Sequence, residues 1–211
     1  MKPKIIFTIL LLNISFRLMQ AQTASELFVT LPEPALLPLT ASDRLDLIDL
    51  YKSGGKSITK NQLGDSCSLL RMTDDYLQMQ TGDNTIELFI LPMINDSKVV
   101  GVIQTVCAPV CDSSLDFYTT TWKKLTTSVF IKLAGKNDFL KEGVQSEDEI
   151  VKNALIPLDI SLMRLHYVPE NHELQQYYTT PDYLSETDRV KAMSYLKDSP
   201  KVFKWNLTRF E

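Results

Sequence analysis

Between Cys67 and Trp122 the sequence alternates short apolar runs with short polar turns, and this alternation constrains the fold more than any other feature. Residues 81–84 (Thr-Gly-Asp-Asn) and 95–97 (Asn-Asp-Ser) have the composition of turns, and the runs around them are rich in β-branched and aromatic residues. Strands joined by such short turns can pair only in the antiparallel sense. The segment therefore predicts an antiparallel β-meander of about four or five strands.

One strand in this region is apolar on nearly both of its faces. Ile86 to Leu91 contains a single charged residue, Glu87, and both alternating sets of side chains are otherwise hydrophobic. Val99 to Val106 and Leu115 to Trp122 are predicted as strands that follow it.

A helix is predicted to begin at Ser42 and to end after Lys52. Ser42 suits the N-cap position, and the two glycines within residues 53–57 suit a helix end, because glycine accepts a left-handed backbone. Residues 53–57 (Ser-Gly-Gly-Lys-Ser) superficially resemble a phosphate-binding loop. Such a loop follows a strand, however, and carries a glycine at the position that Leu50 occupies here. The segment is therefore interpreted as a helix C-terminus.

The second part of the chain predicts further helices and hairpins. They are a helix at Glu147–Leu155, a hairpin of Ile160–Val168 with Glu173–Thr179, a helix that starts at Ser185, and a final hairpin of Val202–Trp205 with Thr208–Phe210. Pro157 and Pro200 end the two helices, because proline cannot continue one. In the helix after Ser185, Val190, Met193 and Leu196 recur at helical spacing and are expected to face the core.

These elements predict an α+β fold in which antiparallel meanders and hairpins pack against about three or four helices. Strands that are not separated by crossover helices argue against a parallel sheet. We expect a single domain over residues 22–211, because a chain of this length can bury one sizeable core. The alternative is a division into two related halves, 22–135 and 136–211, since Ser68–Arg71 resembles Ser161–Arg164.

Residues 1–21 have the organisation of a secretory signal peptide. Lys2 and Lys4 precede an apolar run from Ile5 to Phe16, and Ala21 offers a small residue for cleavage before Gln22. The run is shorter than the ~20 apolar residues of a membrane-spanning helix, and no cysteine follows it that could carry a lipid. We therefore expect a soluble, exported protein without a transmembrane anchor, in the periplasm or outside the cell. A buried N-terminal helix is the alternative.

The balance of charge argues against nucleic acid as a partner. The net charge of the chain is −4, and removal of Lys2, Lys4 and Arg17 with the signal peptide leaves about −7. An acidic surface without a basic stripe repels phosphate backbones. A protein or another component of the cell envelope is the expected partner, and no cofactor is predicted.

The cysteines of the chain are Cys67, Cys107 and Cys111. In an oxidising compartment two of them can pair, and Cys107 with Cys111 would close a small loop around Pro109. Pairing of Cys67 with either of the others is equally compatible with the sequence. A redox or zinc role for Cys107 and Cys111 is disfavoured, because redox cysteines usually have two residues between them and structural zinc needs four ligands.

Five stretches, spread over nearly all of the predicted mature chain, carry a family resemblance. They are 44–50 (Arg-Leu-Asp-Leu-Ile-Asp-Leu), 70–77 (Leu-Arg-Met-Thr-Asp-Asp-Tyr-Leu), 106–112 (Val-Cys-Ala-Pro-Val-Cys-Asp), 117–123 (Phe-Tyr-Thr-Thr-Thr-Trp-Lys) and 202–206 (Val-Phe-Lys-Trp-Asn). With these stretches the chain resembles a family of exported Bacteroidales proteins, a domain of unknown function. The resemblance implies export in a Gram-negative bacterium and brings no catalytic residues. Leu207 replaces the glycine of the family's Trp-Asn-Gly ending, which disfavours a tight two-residue turn.

His166 and His172 are the residues best placed to share a metal ion. They flank the predicted turn at Pro169–Asn171, with Glu170 and Glu173 nearby. A three-residue loop would place both imidazoles on one face of the hairpin, whereas a two-residue loop would point them apart. Two ligands are fewer than a metal site requires, so no metal site is predicted.

Tyrosines on the same hairpin are the candidate binding surface, namely Tyr167, Tyr177 and Tyr178. Tyrosine combines a large apolar ring with a hydroxyl group and is common in recognition surfaces. The competing interpretation is that these rings pack the sheet against its helices.

No catalytic constellation is recognisable in the sequence, so the chain is interpreted as a non-catalytic binding or interaction domain of the periplasm or cell surface. The alternative is a hydrolase-like or ligand-carrying domain with a buried cleft. An exposed aromatic patch would favour the first interpretation. A concave site where cysteine, histidine or acidic side chains converge would favour the second.

Overall fold

The structure, a computed structural model, describes residues 22–32 and 39–211. The predicted signal peptide, residues 1–21, lies outside these described residues. Within them, ten strands form a seven-stranded and a three-stranded sheet, accompanied by five α-helices and two 3-10 helices. Every strand pair in this part of the chain is antiparallel, which confirms the predicted α+β class.

The seven-stranded sheet is a meander in which each strand pairs with its neighbours in sequence. Its strands are β1 (Ile58–Lys60), β2 (Ser66–Met72), β3 (Tyr76–Thr81), β4 (Asn84–Pro92), β5 (Lys98–Cys107), β6 (Cys111–Thr119) and β7 (Lys124–Leu125). The two predicted turns connect β3 to β4 and β4 to β5. β1 and β7 were not predicted, because strands of three and two residues are too short to show an alternating pattern.

The three-stranded sheet consists of β8 (Met163–Val168), β9 (Glu173–Tyr178) and β10 (Lys201–Lys204), with β9 in the centre. The predicted final hairpin is therefore only partly correct. β10 pairs with β9 over four residue pairs, and the contact between Trp205 and Phe210 is a single bridge. The loop between them spans residues 206–209, with Leu207 at φ 70°, and the Asn206 side chain accepts hydrogen bonds from the backbone N–H groups of Thr208 and Arg209.

The α-helices outnumber the three or four that were expected. They are α1 (Ala24–Thr30), α2 (Ala41–Lys52), α3 (Thr127–Phe130), α4 (Glu149–Leu155) and α5 (Glu186–Met193), and the 3-10 helices are Lys136–Phe139 and Thr180–Tyr183. The additional helices α1 and α3 have seven and four residues, too few to produce a clear periodicity. Over the described ranges, no helix combines the length and the hydropathy of a membrane-spanning segment.

Helix α2 has its N-cap at Thr40 and not at the predicted Ser42. The Thr40 hydroxyl accepts a hydrogen bond from the Asp43 N–H at 3.2 Å, and the Asp43 carboxylate accepts one from the Thr40 N–H at 2.8 Å. This reciprocal pair is a capping box, and its acidic partner is aspartate in place of the usual glutamate. At the other end Gly54 has φ 73°, as expected for a helix C-terminus within residues 53–57.

The seven-stranded sheet lies between two other layers. Helices α1 and α2 cover one of its faces, where Leu77 and Leu88 are fully buried, and the three-stranded sheet covers the other. Leu88 and Phe89 are neighbours on β4 and both are 0% exposed, so this strand, which is apolar on nearly both faces, is buried on both. The second interface is aromatic: Phe89 stacks on Tyr167 with ring centroids 4.0 Å apart.

Helix α5 and the segment after it bury only part of the face that the sequence suggested. Leu196 is buried in a third hydrophobic cluster, which also contains Ala192 and residues of α4, and Met193 packs against this cluster, whereas Val190 is 60% exposed. The predicted spacing assumed a continuous helix through Leu196, but α5 ends at Met193. The later residues therefore leave the helical periodicity.

Side chains of the large sheet bind the free edge of β8. Three backbone N–H groups of β8 donate hydrogen bonds to them: Met163 to Asp112 (2.9 Å), Leu165 to Ser113 (2.9 Å) and Tyr167 to Glu87 (3.1 Å). An edge strand otherwise presents unpaired backbone groups that could pair with another chain. Here they join the two sheets and fix the position of β8.

Candidate functional site

A cleft of about 510 Å³ opens where the small sheet meets the tip of the β5–β6 hairpin and helix α5. Its volume falls within the roughly 300–1,000 Å³ that is usual for ligand pockets. We call this site the cleft. Its lining consists of Pro109, Val110 and Cys111 from the hairpin, Arg164, Tyr177, Tyr178, Thr179, Pro181 and Asp182 from the small sheet and the turn after it, and Arg189, Met193 and Leu196–Ser199 from α5 and the segment that follows.

The hairpin tip at the cleft is closed by a disulfide between Cys107 and Cys111. These two residues face each other at the end of the β5–β6 ladder, and the peptide bond between Ala108 and Pro109 is cis. The Thr179 hydroxyl donates a hydrogen bond of 2.7 Å to the carbonyl oxygen of Cys111 and so ties the tip to the end of β9. Cys67 is a free thiol buried in the core, and burial raises its pKa.

Tyr177 and Arg164 form one wall of the cleft. They are partners across the β8–β9 ladder, and the Arg164 guanidinium lies over the Tyr177 ring, 4.6 Å from its centroid. The Tyr177 hydroxyl donates a hydrogen bond to the Gln175 side chain at 2.7 Å, which fixes the ring. Stacking on a fixed ring in turn restricts the guanidinium group.

Tyr178 is the next residue of β9 and its ring lies on the opposite face, against Phe139, with centroids 5.5 Å apart. Its hydroxyl oxygen is buried and has no hydrogen-bond partner in the part of the chain that the structure describes. Burial raises the pKa of this hydroxyl, an effect that the neighbouring Thr180 partly offsets. Tyr178 therefore contributes to the cleft and to the third hydrophobic cluster at once.

Tyr167 does not lie at the surface, so the structure does not place it in an exposed aromatic patch. It is 1% exposed and lies in the aromatic interface between the two sheets. The three predicted tyrosines are therefore not one patch, because Tyr177 and Tyr178 point to opposite faces and Tyr167 faces the core. Sequence alone could not tell which face of β8 is covered by the large sheet.

Next to the cleft, a polar hollow of about 270 Å³ contains a buried carboxylate, Glu87, which is 2% exposed. Glu87 accepts hydrogen bonds from the Tyr76 hydroxyl at 2.8 Å and from the Tyr167 N–H at 3.1 Å, and it contacts His166 Nδ1 at 3.1 Å. Burial, followed by the Glu87 charge and its hydrogen bond, raises the pKa of Tyr76 far above its ordinary range. The hydrogen bond to Glu87 raises the pKa of His166, against an opposing effect of burial.

The structure does not bring His166 and His172 to a common partner. His166 contacts Glu87, whereas His172 Nδ1 lies 2.7 Å from the Tyr167 hydroxyl. Neither predicted loop length occurs, because Val168 pairs with Glu173 and four residues, 169–172, connect the strands. His172 therefore belongs to the loop, at φ 51°. Within the described ranges no group of three or more histidine, cysteine or acidic residues is arranged to hold a metal ion.

Comparison with known proteins places nearly all of the chain in one family. Residues 16–210 match the model of the family described as "Protein of unknown function (DUF3256)". The chain belongs to this family. It is also similar to a solved structure, "Structure of a domain of an uncharacterized protein from Porphyromonas gingivalis W83", with a TM-score of 0.79 and 27% sequence identity over 90% of this chain and 99% of that chain. A search of curated proteins gives no significant match.

Family membership confirms the resemblance to a Bacteroidales domain of unknown function but supplies no site residues. The residues that shape the cleft were largely missed at the level of the sequence, above all Arg164 and Arg189. The cleft unites segments that lie far apart in the chain, and only the fold brings them together. Glu87 did carry a signal, because a single acid within a strand that is apolar on both faces must find buried partners.

Proposed function

We propose that this protein is an exported, non-catalytic binding module of the periplasm or cell surface, and that the cleft holds its ligand. The observation that carries the proposal is the cleft itself. It is concave, its walls are fixed by a disulfide-closed hairpin and by an arginine stacked on a tyrosine, and its volume is about 510 Å³. Concave pockets of this size are typical of ligand sites, and this one combines apolar side chains such as Val110 and Met193 with the charged side chains of Arg164 and Arg189.

Export is supported by the organisation of residues 1–21 and by the use of cysteine. Lys2, Lys4, the apolar run and Ala21 follow the order of a signal peptide. A disulfide between Cys107 and Cys111 at the rim of the cleft suits an oxidising compartment. The similarity to a Porphyromonas gingivalis protein favours a Gram-negative envelope as the setting.

A binding role without catalysis is supported by the structural contacts and the burial of the chemically reactive side chains. Glu87 accepts hydrogen bonds from Tyr76 and Tyr167, and in doing so joins the two sheets. His172 is engaged with the Tyr167 hydroxyl, and Cys67 is buried. A nucleophile and a base would need to meet at one open position, and these groups instead hold the fold together.

The ligand proposal is tested by native mass spectrometry of protein purified from the envelope of the natural host. Ser199 is exposed at the rim of the cleft, so Ser199→Trp should fill the entrance. We expect a co-purifying small molecule on the wild-type protein and its loss from this variant. Ser42→Trp is the matched control, because Ser42 is exposed on α2, on the far side of the large sheet. Equal ligand occupancy in both variants would contradict the cleft as the binding site.

Export is tested separately by N-terminal sequencing of the protein from fractionated cells. We expect the envelope or extracellular fraction to contain a chain that starts at or near Gln22. Protein that retains residues 1–21 and remains in the cytoplasmic fraction would contradict export.

A further inference from the structure

We infer that the cleft recognises an organic anion, whose carboxylate or phosphate group binds Arg164 and whose apolar part contacts the apolar lining residues Val110 and Met193. The inference rests on the proposed function, because it specifies what the cleft holds. It depends on three features of the cleft: the contacts of Arg164, the balance of charges around it, and the apolar residues of its lining.

Arg164 is held in place without an acidic partner. Among the described residues its guanidinium group makes no ion pair, and its described contact is with the face of Tyr177. Arg71 and Arg189, in contrast, are paired with Glu170 and Asp182. Stacking leaves the edge of the guanidinium group and its N–H donors free, and these match the two oxygens of a carboxylate or phosphate.

The other charges of the cleft leave a local positive balance in an acidic protein. Arg189 and Asp182 neutralise each other at 3.3 Å. Arg164 and Lys197 then face one remaining acid, Asp198, which is exposed. The chain as a whole has a net charge of −4, so a locally positive cleft is a departure from the rest of the surface. Such a departure steers anions to the site.

Part of the lining of the cleft is apolar, and a small inorganic ion would leave it without a partner. Val110 and Met193, both partly buried, belong to this part, and Leu196 next to them in the lining is 1% exposed. A cleft of about 510 Å³ has room for a ring or a short chain in addition to the charged group. The expected ligand is therefore amphiphilic, with one anionic end.

The test compares probes that share one ring system and differ in charge. Naphthoate and naphthyl phosphate supply a carboxylate and a phosphate on the same apolar body, and naphthamide is the uncharged analogue. We expect at least one of the anions to bind about tenfold more tightly than naphthamide in isothermal titration calorimetry. In Arg164→Gln that anion should lose about tenfold to a hundredfold in affinity, and naphthamide should be unaffected.

Further variants keep the result interpretable. Arg209→Gln makes the same change of charge at an exposed arginine outside the cleft and should leave all affinities unchanged. Lys197→Gln preserves the stacked pair and should weaken anion binding to a smaller extent, which covers the case in which Arg164→Gln unfolds. The preferred probe, carboxylate or phosphate, identifies the charged group.

Two outcomes would overturn the inference. Equal binding of naphthamide and the anions, abolished by Ser199→Trp, would mean that the cleft binds ligands but does not select anions, and the proposed function would stand. If none of the three probes bound, the inference that the cleft recognises an organic anion would also be rejected. If Ser199→Trp then left the co-purifying ligand in place as well, the proposed function would fail with it.

Discussion

Phe89 occupies the centre of the interface between the two sheets and leaves no space above Gly101. These residues are partners across the β4–β5 ladder, and a Cβ atom on Gly101 would lie 2.2 Å from the Phe89 ring. The ring cannot retreat, because it stacks on Tyr167. We therefore expect Gly101→Ala to lower the free energy of unfolding by about 1–3 kcal/mol, the usual effect of overpacking a core.

Urea denaturation followed by circular dichroism measures this effect. Gly135→Ala is the control, because a Cβ atom at Gly135 meets only an Asp138 carboxylate oxygen, at 3.9 Å. The two variants add the same methyl group, so equal stabilities would show that the Phe89 ring is not confined.

His166 is expected to make stability depend on pH. Its hydrogen bond to Glu87 raises its pKa in the folded state, while burial and the nearby Arg164 and Arg71 act in the opposite direction. The protonated imidazole is therefore favoured by folding. Its contribution should be fully present below the unfolded pKa of about 6.5 and should be lost as the pH rises through the higher folded pKa.

The measurement is the free energy of unfolding at a series of pH values in wild-type protein and in His166→Gln. The wild type should lose stability relative to this variant as the pH rises above about 6.5, because the folded pKa of His166 lies above the unfolded one. His172→Gln serves as the comparison, since His172 contacts the Tyr167 hydroxyl and not Glu87. If His172→Gln alone removed the pH dependence, the role assigned to His166 would be wrong.

At the scale of residues, the sequence predicted which segments are strands with alternating side chains, but not which face of each strand would be covered by another layer. Tyr167 and His166 are adjacent on a predicted strand, and neighbouring side chains of a strand point to opposite faces. Only the position of the large sheet decides that Tyr167 is buried and His166 lies at the edge. The Arg164–Tyr177 pair likewise depends on the β8–β9 register, which a loop of four residues sets and the sequence left open.

At the scale of elements, the start of α2 offers a direct test of the cap. The Thr40 side chain accepts a hydrogen bond from the Asp43 N–H. The hydrogen bonds that the Thr40 hydroxyl and N–H donate to the Asp43 carboxylate lower the pKa of that carboxyl. Thr40→Ala should lower the free energy of unfolding by about 1 kcal/mol, as loss of an N-cap usually does. Ser42→Ala lies within the first turn of α2, is exposed, and should change stability little. Thermal unfolding measures the stability of both variants. A Ser42→Ala variant less stable than Thr40→Ala would contradict the assignment of Thr40 as the N-cap.

Most of the elements that the sequence predicted have enough residues to repeat a pattern, as strands β3 to β6 and the helices α2 and α5 do. Helix α4 has only seven residues, as α1 has, and it was located because Pro157 marks its end. The short elements α1, α3, β1 and β7 form because neighbours hold them, as when Thr30 of α1 binds the Trp122 indole N–H at 3.0 Å. β10 was assigned as a strand but with the wrong partner, since local sequence cannot show that a segment will join a distant sheet edge.

At the scale of the whole molecule, contacts between residues 22–135 and 136–211 favour one cooperative unit. The Gln176 side chain is 0% exposed and forms two hydrogen bonds of 2.8 Å with the backbone of Ala134. Phe89 stacks on Tyr167 across the same boundary, and the free edge of β8 is bound by side chains of the large sheet. Separating the halves would expose this aromatic interface to water, which is unfavourable.

The two tryptophans of the chain allow this expectation to be tested, because one lies on each side of the boundary. Trp122 packs against Tyr118 beside the large sheet, and Trp205 follows β10 and donates a hydrogen bond to the Pro92 carbonyl at 2.7 Å. In Trp122→Phe and in Trp205→Phe, the fluorescence of the remaining tryptophan should therefore lose its folded signal at the same urea concentration as the circular dichroism of the same variant. Comparison within each variant removes any effect of the substitution on overall stability. A fluorescence midpoint that departs from the circular dichroism midpoint would show that the two halves unfold separately. The cleft would then be formed by residues of both units, because Pro109, Val110 and Cys111 belong to one half and its other lining residues to the other.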